Sequence, residues 1–233
     1  MDFHFKENYN VYDLEEVIKA LRSEDGCPWD KVQTHTSIRR DFIEEVYEAV
    51  EAIDEKSPEH LREELGDVLF QVIFHCVIES EQDHYTLDDV ADEVAKKMIA
   101  RHPHVFGEVT LDSDERLFKN WEQIKMQTHG EKTPLEAMES VPKSLPSLMR
   151  AEKLVKKSKR LELSQRNDDE ILSEIKESAA ALERTVKSGD NDALIQEIGR
   201  LLFSVCELSG SRGLDAEKSL YDACDEFIGQ FRK

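Results

Sequence analysis

Five carboxylates on two adjacent stretches are the side chains of this sequence best able to do chemistry. Glu44, Glu45 and Glu48 lie on the first, Glu64 and Asp67 on the second. Glu45 and Glu48 are separated by three positions, as are Glu64 and Asp67, so in helices each pair occupies one face about one turn apart. The run from Val68 to Ile78 is apolar nearly all round, which predicts a helix buried on most sides. Glu64 and Asp67 fall within a turn of that run, on the stripe that also carries Gln71 and His75. A buried carboxylate needs a cation or a hydrogen-bond network, because an unpaired buried charge is very costly. Ala49 and Ala52 flank the other acidic face and leave room. Four or five acidic oxygen donors facing each other across a bundle form a hard-cation site suited to Mg²⁺ or Mn²⁺. A di-iron centre would want Glu-x-x-His on each of two helices, and neither pair supplies His. The competing reading is a solvated acidic face with salt bridges, and for Glu44 or Glu51 alone it is preferred.

Lys97 and Arg101 lie four apart on a further predicted helix, with Ala91, Val94 and Met98 for its apolar side. Two cations beside a metal cluster suit a polyphosphate, and Arg can bind phosphate oxygens bidentately. The plainer alternative is a basic last turn complementing the helix dipole. His102 and His104 are split by Pro103 and read as capping or packing residues rather than metal ligands. Trp29 and Trp121 could stack on a base, although a lone Trp near a helix is more often core.

The elements that must position these residues read as helices throughout. Leu14, Val17, Ile18 and Leu21 mark one from Tyr12 to Arg22. After the loop Gly26-Cys27-Pro28-Trp29-Asp30, Thr36 or Ser37 is expected to cap a second helix running to about Asp54. Ser57-Pro58 opens a third, to about Glu81, and Thr86 with Asp89 resembles a capping box for a fourth ending before Pro103. Asp114–Gln127 reads as a fifth. Four more runs follow: Leu148–Arg160, Asp169–Lys187, Asp190–Ser209 and Leu214–Phe231. No stretch reads as a strand, so the expected fold is all-α, built from four-helix-bundle-like modules. Gly130, Pro134, Pro142 and Pro146 mark a linker over 128–146, between a module at 1–127 and another at 147–233. The modules repeat weakly: Glu64-Leu65-Gly66-Asp67-Val68-Leu69-Phe70 matches Glu197-Ile198-Gly199-Arg200-Leu201-Leu202-Phe203 at an offset of 133.

Charge separates the halves too. Residues 1–115 hold 30 acidic and 11 basic side chains, net −19, whereas residues 116–233 hold 21 and 20, net −1. The whole 233-residue chain carries −20, which disfavours binding to a nucleic-acid backbone. No apolar run reaches the roughly 18 residues a membrane helix needs, and residues 1–10 contain no apolar stretch, so neither a membrane span nor a secretory signal is expected. Cys27, Cys76, Cys206 and Cys224 show no CxxC spacing and fit reduced thiols in a cytoplasmic protein.

The motifs in order are Gly26-Cys27-Pro28-Trp29-Asp30-Lys31 with Gln33-Thr34-His35, Glu44-Glu45-Val46-Tyr47-Glu48, Glu64-Leu65-Gly66-Asp67, Arg101-His102-Pro103-His104-Val105-Phe106, and Trp121-Glu122-Gln123-Ile124-Lys125. Together they resemble the MazG nucleoside triphosphate pyrophosphohydrolases, closely over residues 10–126 and more weakly over 145–231, where the chain looks like the second module of tandem forms. The resemblance implies an all-α fold, a dimer, and Mg²⁺-dependent cleavage of a nucleoside triphosphate to monophosphate and pyrophosphate. By position it implies Glu45, Glu48, Glu64 and Asp67 as metal ligands, and Glu44 as a further ligand or the group that orients water. Lys97 and Arg101 match phosphate-binding positions, and Trp121 a tryptophan near the nucleotide. The second module departs from the pattern: Ser173 replaces Glu44, Arg200 replaces Asp67, and Glu226 and Gln230 replace the Lys–Arg pair, while Glu174, Glu177 and Glu197 remain. An Arg inside a metal cluster opposes cation binding, so residues 147–233 read as a catalytically dead copy. The rival readings are a narrow dUTP/dCTP-type or phosphoribosyl-ATP pyrophosphohydrolase, and a non-catalytic nucleotide- or metal-binding regulator.

Overall fold

A computed structural model describes residues 4–107 and 133–232. Among them the chain is all-α, with no strand. It forms two compact units, Met1–Ala100 and Arg101–Lys233. The expected helix at Asp114–Gln127, with Trp121, lies outside the described residues.

In the first unit α1 (Val11–Arg22) starts at a capping box, Asn10 accepting from the Asp13 N–H while the Asp13 side chain accepts from the Asn10 N–H. α1 ends in a tight reversal in which Gly26 approaches the chain too closely for any side chain: a Cβ there would lie 2.3 Å from the Leu21 carbonyl oxygen. Arg22 braces the loop that follows. Its Nη1 donates to the carbonyls of Asp30 and Gln33 at 2.8 and 3.1 Å, and Nε and Nη2 grip the Glu81 carboxylate at 2.7 Å each.

α2 spans Arg39–Glu55 and α3 Pro58–Ser80. Ser57 caps α3 with Pro58 at its first position, as expected. Neither Thr36 nor Ser37 caps α2: its N-cap is Ile38, with no side-chain hydrogen bond, because Thr34 and Ser37 satisfy each other in the preceding turn. α2 and α3 form an antiparallel hairpin and α1 packs across α3. Ile18, Ile38, Ile73, Phe74, Val77 and Ile78 make the core, with Leu14, Phe70 and Leu87 against it. Burial of α3 is one-sided: Leu65 and Leu69 stay about half exposed, as do Val46, Val50 and Ile53 of α2. α4 (Leu87–Arg101) begins at the expected Thr86–Asp89 exchange and stops before Pro103.

The second unit repeats the hairpin. The short helices α5 (Pro103–Phe106) and α6 (Pro134–Glu139) were not anticipated; α6 falls inside the expected linker, where Thr133 and Glu136 form a capping box. α7 (Ser147–Arg160), α8 (Asp168–Ser188), α9 (Asn191–Ser211) and α10 (Ala216–Gly229) follow. α8 and α9 pair most extensively, as α2 and α3 do, with α7 and α10 against α9. Among the described residues no helix is long and apolar enough to cross a membrane.

Candidate active site

The antiparallel α2–α3 hairpin sets the two acidic faces against each other. One carboxylate oxygen from each of Glu45, Glu48 and Glu64 lies within 4.8 Å of the others, and among the described residues no other trio of His, Cys, Asp or Glu meets that condition. The spacing in sequence produces this directly: Glu45 and Glu48 are neighbours on α2, and Glu64 sits about two turns beyond the Glu55–Ser57 reversal, opposite them.

The electrostatics follow from the crowding. Burial pushes the Glu45 carboxyl above its ordinary 4.5, and the charges of Asp67, Glu48, Glu64 and Asp41 push the same way. Glu64 is raised too, first by burial, then by Glu48, with His60 opposing. Glu64 is 8% exposed; its Oε1 lies 3.2 Å from His60 Nε2, whereas its Oε2 is buried with no hydrogen-bond partner. A buried anionic oxygen without a donor, facing two more carboxylates, has the electrostatics of a cation site. The donors are all hard carboxylate oxygens, which fits a divalent hard cation.

The other sequence-predicted residues are placed differently. Asp67 is exposed and stands outside the close trio, although its charge reaches Glu45; the expectation that it is buried with Glu64 fails because the Leu65–Asp67 face of α3 is open. Glu44 is exposed, pairs with Arg40 at 2.8 Å and is not part of the trio. Lys97 is exposed and Arg101 buried at the end of α4, one turn apart. No described helix packs broadly against α4. Trp29 is 56% exposed, against the expectation of a core position, because Gly26 and Pro28 carry it outward on the loop. The rings of His102 and His104 pack at 5.6 Å.

Sequence reasoning missed His60, whose position four before Glu64 puts it on the same face; its partner Glu55 raises its basicity. It also left the role of Gln71 open: this side chain is 7% exposed and its Oε1 has no partner.

In the second unit the matching place holds a salt bridge. Arg200 Nη1 lies 3.2 Å from Glu197, and Arg166 reaches Glu174 at 3.6 Å while gripping Glu207. Two guanidiniums stand among the carboxylates there, as the substitution of Arg for Asp foreshadows.

An all-α chain whose helical hairpin gathers three carboxylates, one with an unsatisfied buried oxygen, has the arrangement by which helical bundles hold cations. The comparisons narrow this further. Residues 33–106 match the model of the MazG nucleotide pyrophosphohydrolase domain. The chain is 38% identical over 221 residues to the nucleoside triphosphate pyrophosphohydrolase/pyrophosphatase MazG of Thermotoga maritima, covering 95% of this chain and 84% of that one. It is 34% identical over 222 residues to the nucleoside triphosphate pyrophosphohydrolase of Escherichia coli, covering 93% and 84%. It is 47% identical to the uncharacterized protein YabN of Bacillus subtilis over 142 residues, only 28% of that chain. This chain belongs to the MazG family.

Proposed function

We propose that the chain hydrolyses nucleoside triphosphates, canonical or altered, to nucleoside monophosphate and pyrophosphate, using a divalent cation held by Glu45, Glu48, Glu64 and Asp67. The carrying observation is the close trio with the orphaned Glu64 oxygen. The family membership supports the reaction class.

Mg²⁺, with Mn²⁺ as a substitute, would neutralise phosphate charge and lower the pKa of a bound water for in-line attack at the α-phosphorus. The protein's part is to hold the acidic face rigid. Glu45 and Glu64, raised by burial and by neighbouring carboxylates, gain most from a cation, since it removes the repulsion that the hairpin imposes. Glu44 is the proposed water-orienting group, free to exchange Arg40 for water at a surface ion pair worth little. Lys97 and Arg101 are proposed to bind the phosphates, and Trp121 to contact the nucleotide. Residues 147–233 are proposed to be a catalytically dead module joined through 128–146 to the active module at 1–127; the Arg200–Glu197 bridge supports this.

The chain is proposed to be a cytoplasmic homodimer. The half-exposed Val46, Val50, Ile53, Leu65 and Leu69 of the hairpin supply an apolar surface of the kind that a partner copy covers. A pyrophosphate-release screen over canonical and damaged triphosphates with Mg²⁺ tests the function. Release with at least one triphosphate, abolished by EDTA, is expected; binding without release across the panel means a non-catalytic nucleotide-binding protein instead.

A further inference from the structure

Away from the carboxylates, histidines fasten the loop before α2 to the C-terminal end of α3. His35 Nδ1 lies 2.7 Å from His75 Nδ1, with the rings stacked 12° from parallel. His35 Nε2 lies 2.5 Å from Glu79 Oε1, and His84 Nδ1 lies 2.7 Å from Glu79 Oε2. Phe42 of α2 covers His75, ring centroids 5.5 Å apart. The titratable groups around the cluster are few: Glu79 and Cys76 on α3, His84 and Tyr85 in the turn after it, and Glu15 of α1, whose charge reaches Cys76.

Two ring nitrogens at 2.7 Å share one proton, one donating and one accepting. The cluster tolerates a single imidazolium, because a charged His35 donates from Nδ1 to His75 and from Nε2 to Glu79. A second proton, on His75 Nδ1, sets two donors face to face and breaks the contact. Burial, and then the charge of His35, hold His75 below its ordinary 6.5. At His75 the unfolded chain therefore binds more protons below pH 6.5, and the latch's contribution, complete above that pH, is lost as pH falls. Glu79 is held low by its bonds from His84 and His35, so its own loss comes further down, below 4.5.

The second unit has the same joint built from different chemistry. Arg166, in the loop before α8, donates from Nε to the Glu207 carboxylate of α9 at 3.1 Å, and Arg212 pairs with Asp168 at 2.5 Å. Guanidiniums keep their charge throughout this range. The first joint is thus built on imidazoles where its repeat is built on guanidiniums.

We propose that His35 and His75 are positioning residues for the hydrolysis, holding the uncapped start of α2 against α3 so that Glu45 and Glu48 face Glu64, and that protonation of His75 releases this hold below neutral pH. The proposal rests on reading the carboxylate trio as the active site.

Amide hydrogen exchange with Mg²⁺ present, corrected for intrinsic rates, tests the hold without reference to activity. The Ile38 and Phe42 amides, bonded to the Thr34 and Ile38 carbonyls, report on the first joint; the Ile171 amide, bonded to the Asn167 carbonyl, reports on the second. Between pH 7.5 and 5.5 the protection of Ile38 and Phe42 is expected to fall, by up to about tenfold for the one proton that the opened state takes up at His75 below 6.5, while Ile171 stays level. In His75→Gln, which can still hydrogen-bond His35 but cannot charge, the fall is expected to vanish. Its ratio of kcat at pH 7.5 to kcat at pH 5.5 is expected to be smaller than that of the natural protein. Equal behaviour of Ile38 and Ile171 in the natural protein overturns the proposal even if the variant does not fold. So does a pH dependence that persists in His75→Gln. An unchanged kcat ratio beside a changed exchange profile overturns the positioning role. Failure of the functional reading itself shows separately, as no pyrophosphate release at any pH.

Discussion

Replacing Glu64 by Gln is expected to affect stability in opposite directions with and without a divalent cation. Without the cation, Glu64 brings a third charge to a group whose oxygens lie within 4.8 Å, and its Oε2 is buried without a donor. Gln keeps the shape and removes the charge, so the metal-free variant should melt at or above the temperature of the natural protein. With the cation the order reverses. A ligand that binds only the folded state at 100 times its dissociation constant stabilises by about 2.7 kcal/mol. For a unit of about 100 residues that raises the melting temperature by roughly 10–20 °C. Gln removes one of three grouped anionic donors, so most of this increment should disappear at the same Mg²⁺ concentration. Thermal melts in EDTA and in Mg²⁺, for both proteins, make the four measurements. The pH adds a sign check. A carboxyl raised above 4.5 destabilises the fold as it ionises, so the metal-free advantage of Gln should shrink as pH falls from neutrality toward 4.5. A variant that is less stable than the natural protein in EDTA, yet gains as much from Mg²⁺, refutes the reasoning.

Further outcomes follow from the same geometry. Glu48→Gln and Asp67→Asn should each lower kcat at least about 100-fold with helicity unchanged by circular dichroism, since a metal ligand supplies several kcal/mol of transition-state charge stabilisation. Glu197→Gln should leave turnover nearly intact where Glu64→Gln removes it, because Arg200 already occupies the charge of that site; parallel assays at saturating triphosphate decide. Arg166→Met should destabilise the second unit by about 3 kcal/mol in chemical denaturation, because it strands Glu207, which is 4% exposed, without its cation. Ile73→Ala, at a fully buried core position, should cost the first unit about 2–5 kcal/mol.

The helices and the acidic trio were legible because both depend on local spacing. Glu45, Glu48 and Glu64 meet through one hairpin, and the Ser57-Pro58 start of α3 fixes its register against α2. What escaped depends on which faces stay open. The all-round apolar run of α3 suggests burial on every side, yet Leu65, Leu69 and Asp67 look outward, so an apolar sequence identified the helix without identifying its partner. Trp29 reads as core by residue type but is carried out by Gly26 and Pro28. The start of α2 was misplaced because Thr34 and Ser37 spend their hydroxyls on each other. The His35–His75–Glu79 cluster joins residues 40 and 44 positions apart, beyond any periodicity argument.

The most direct test of the central claim is hydrolysis of a nucleoside triphosphate in ¹⁸O-water with Mg²⁺, products read by mass spectrometry, for the natural protein and Glu64→Gln. The account predicts monophosphate and pyrophosphate in equal amounts, the label in the monophosphate, and both lost in Glu64→Gln. Diphosphate with labelled orthophosphate, or undiminished turnover in Glu64→Gln, would contradict it.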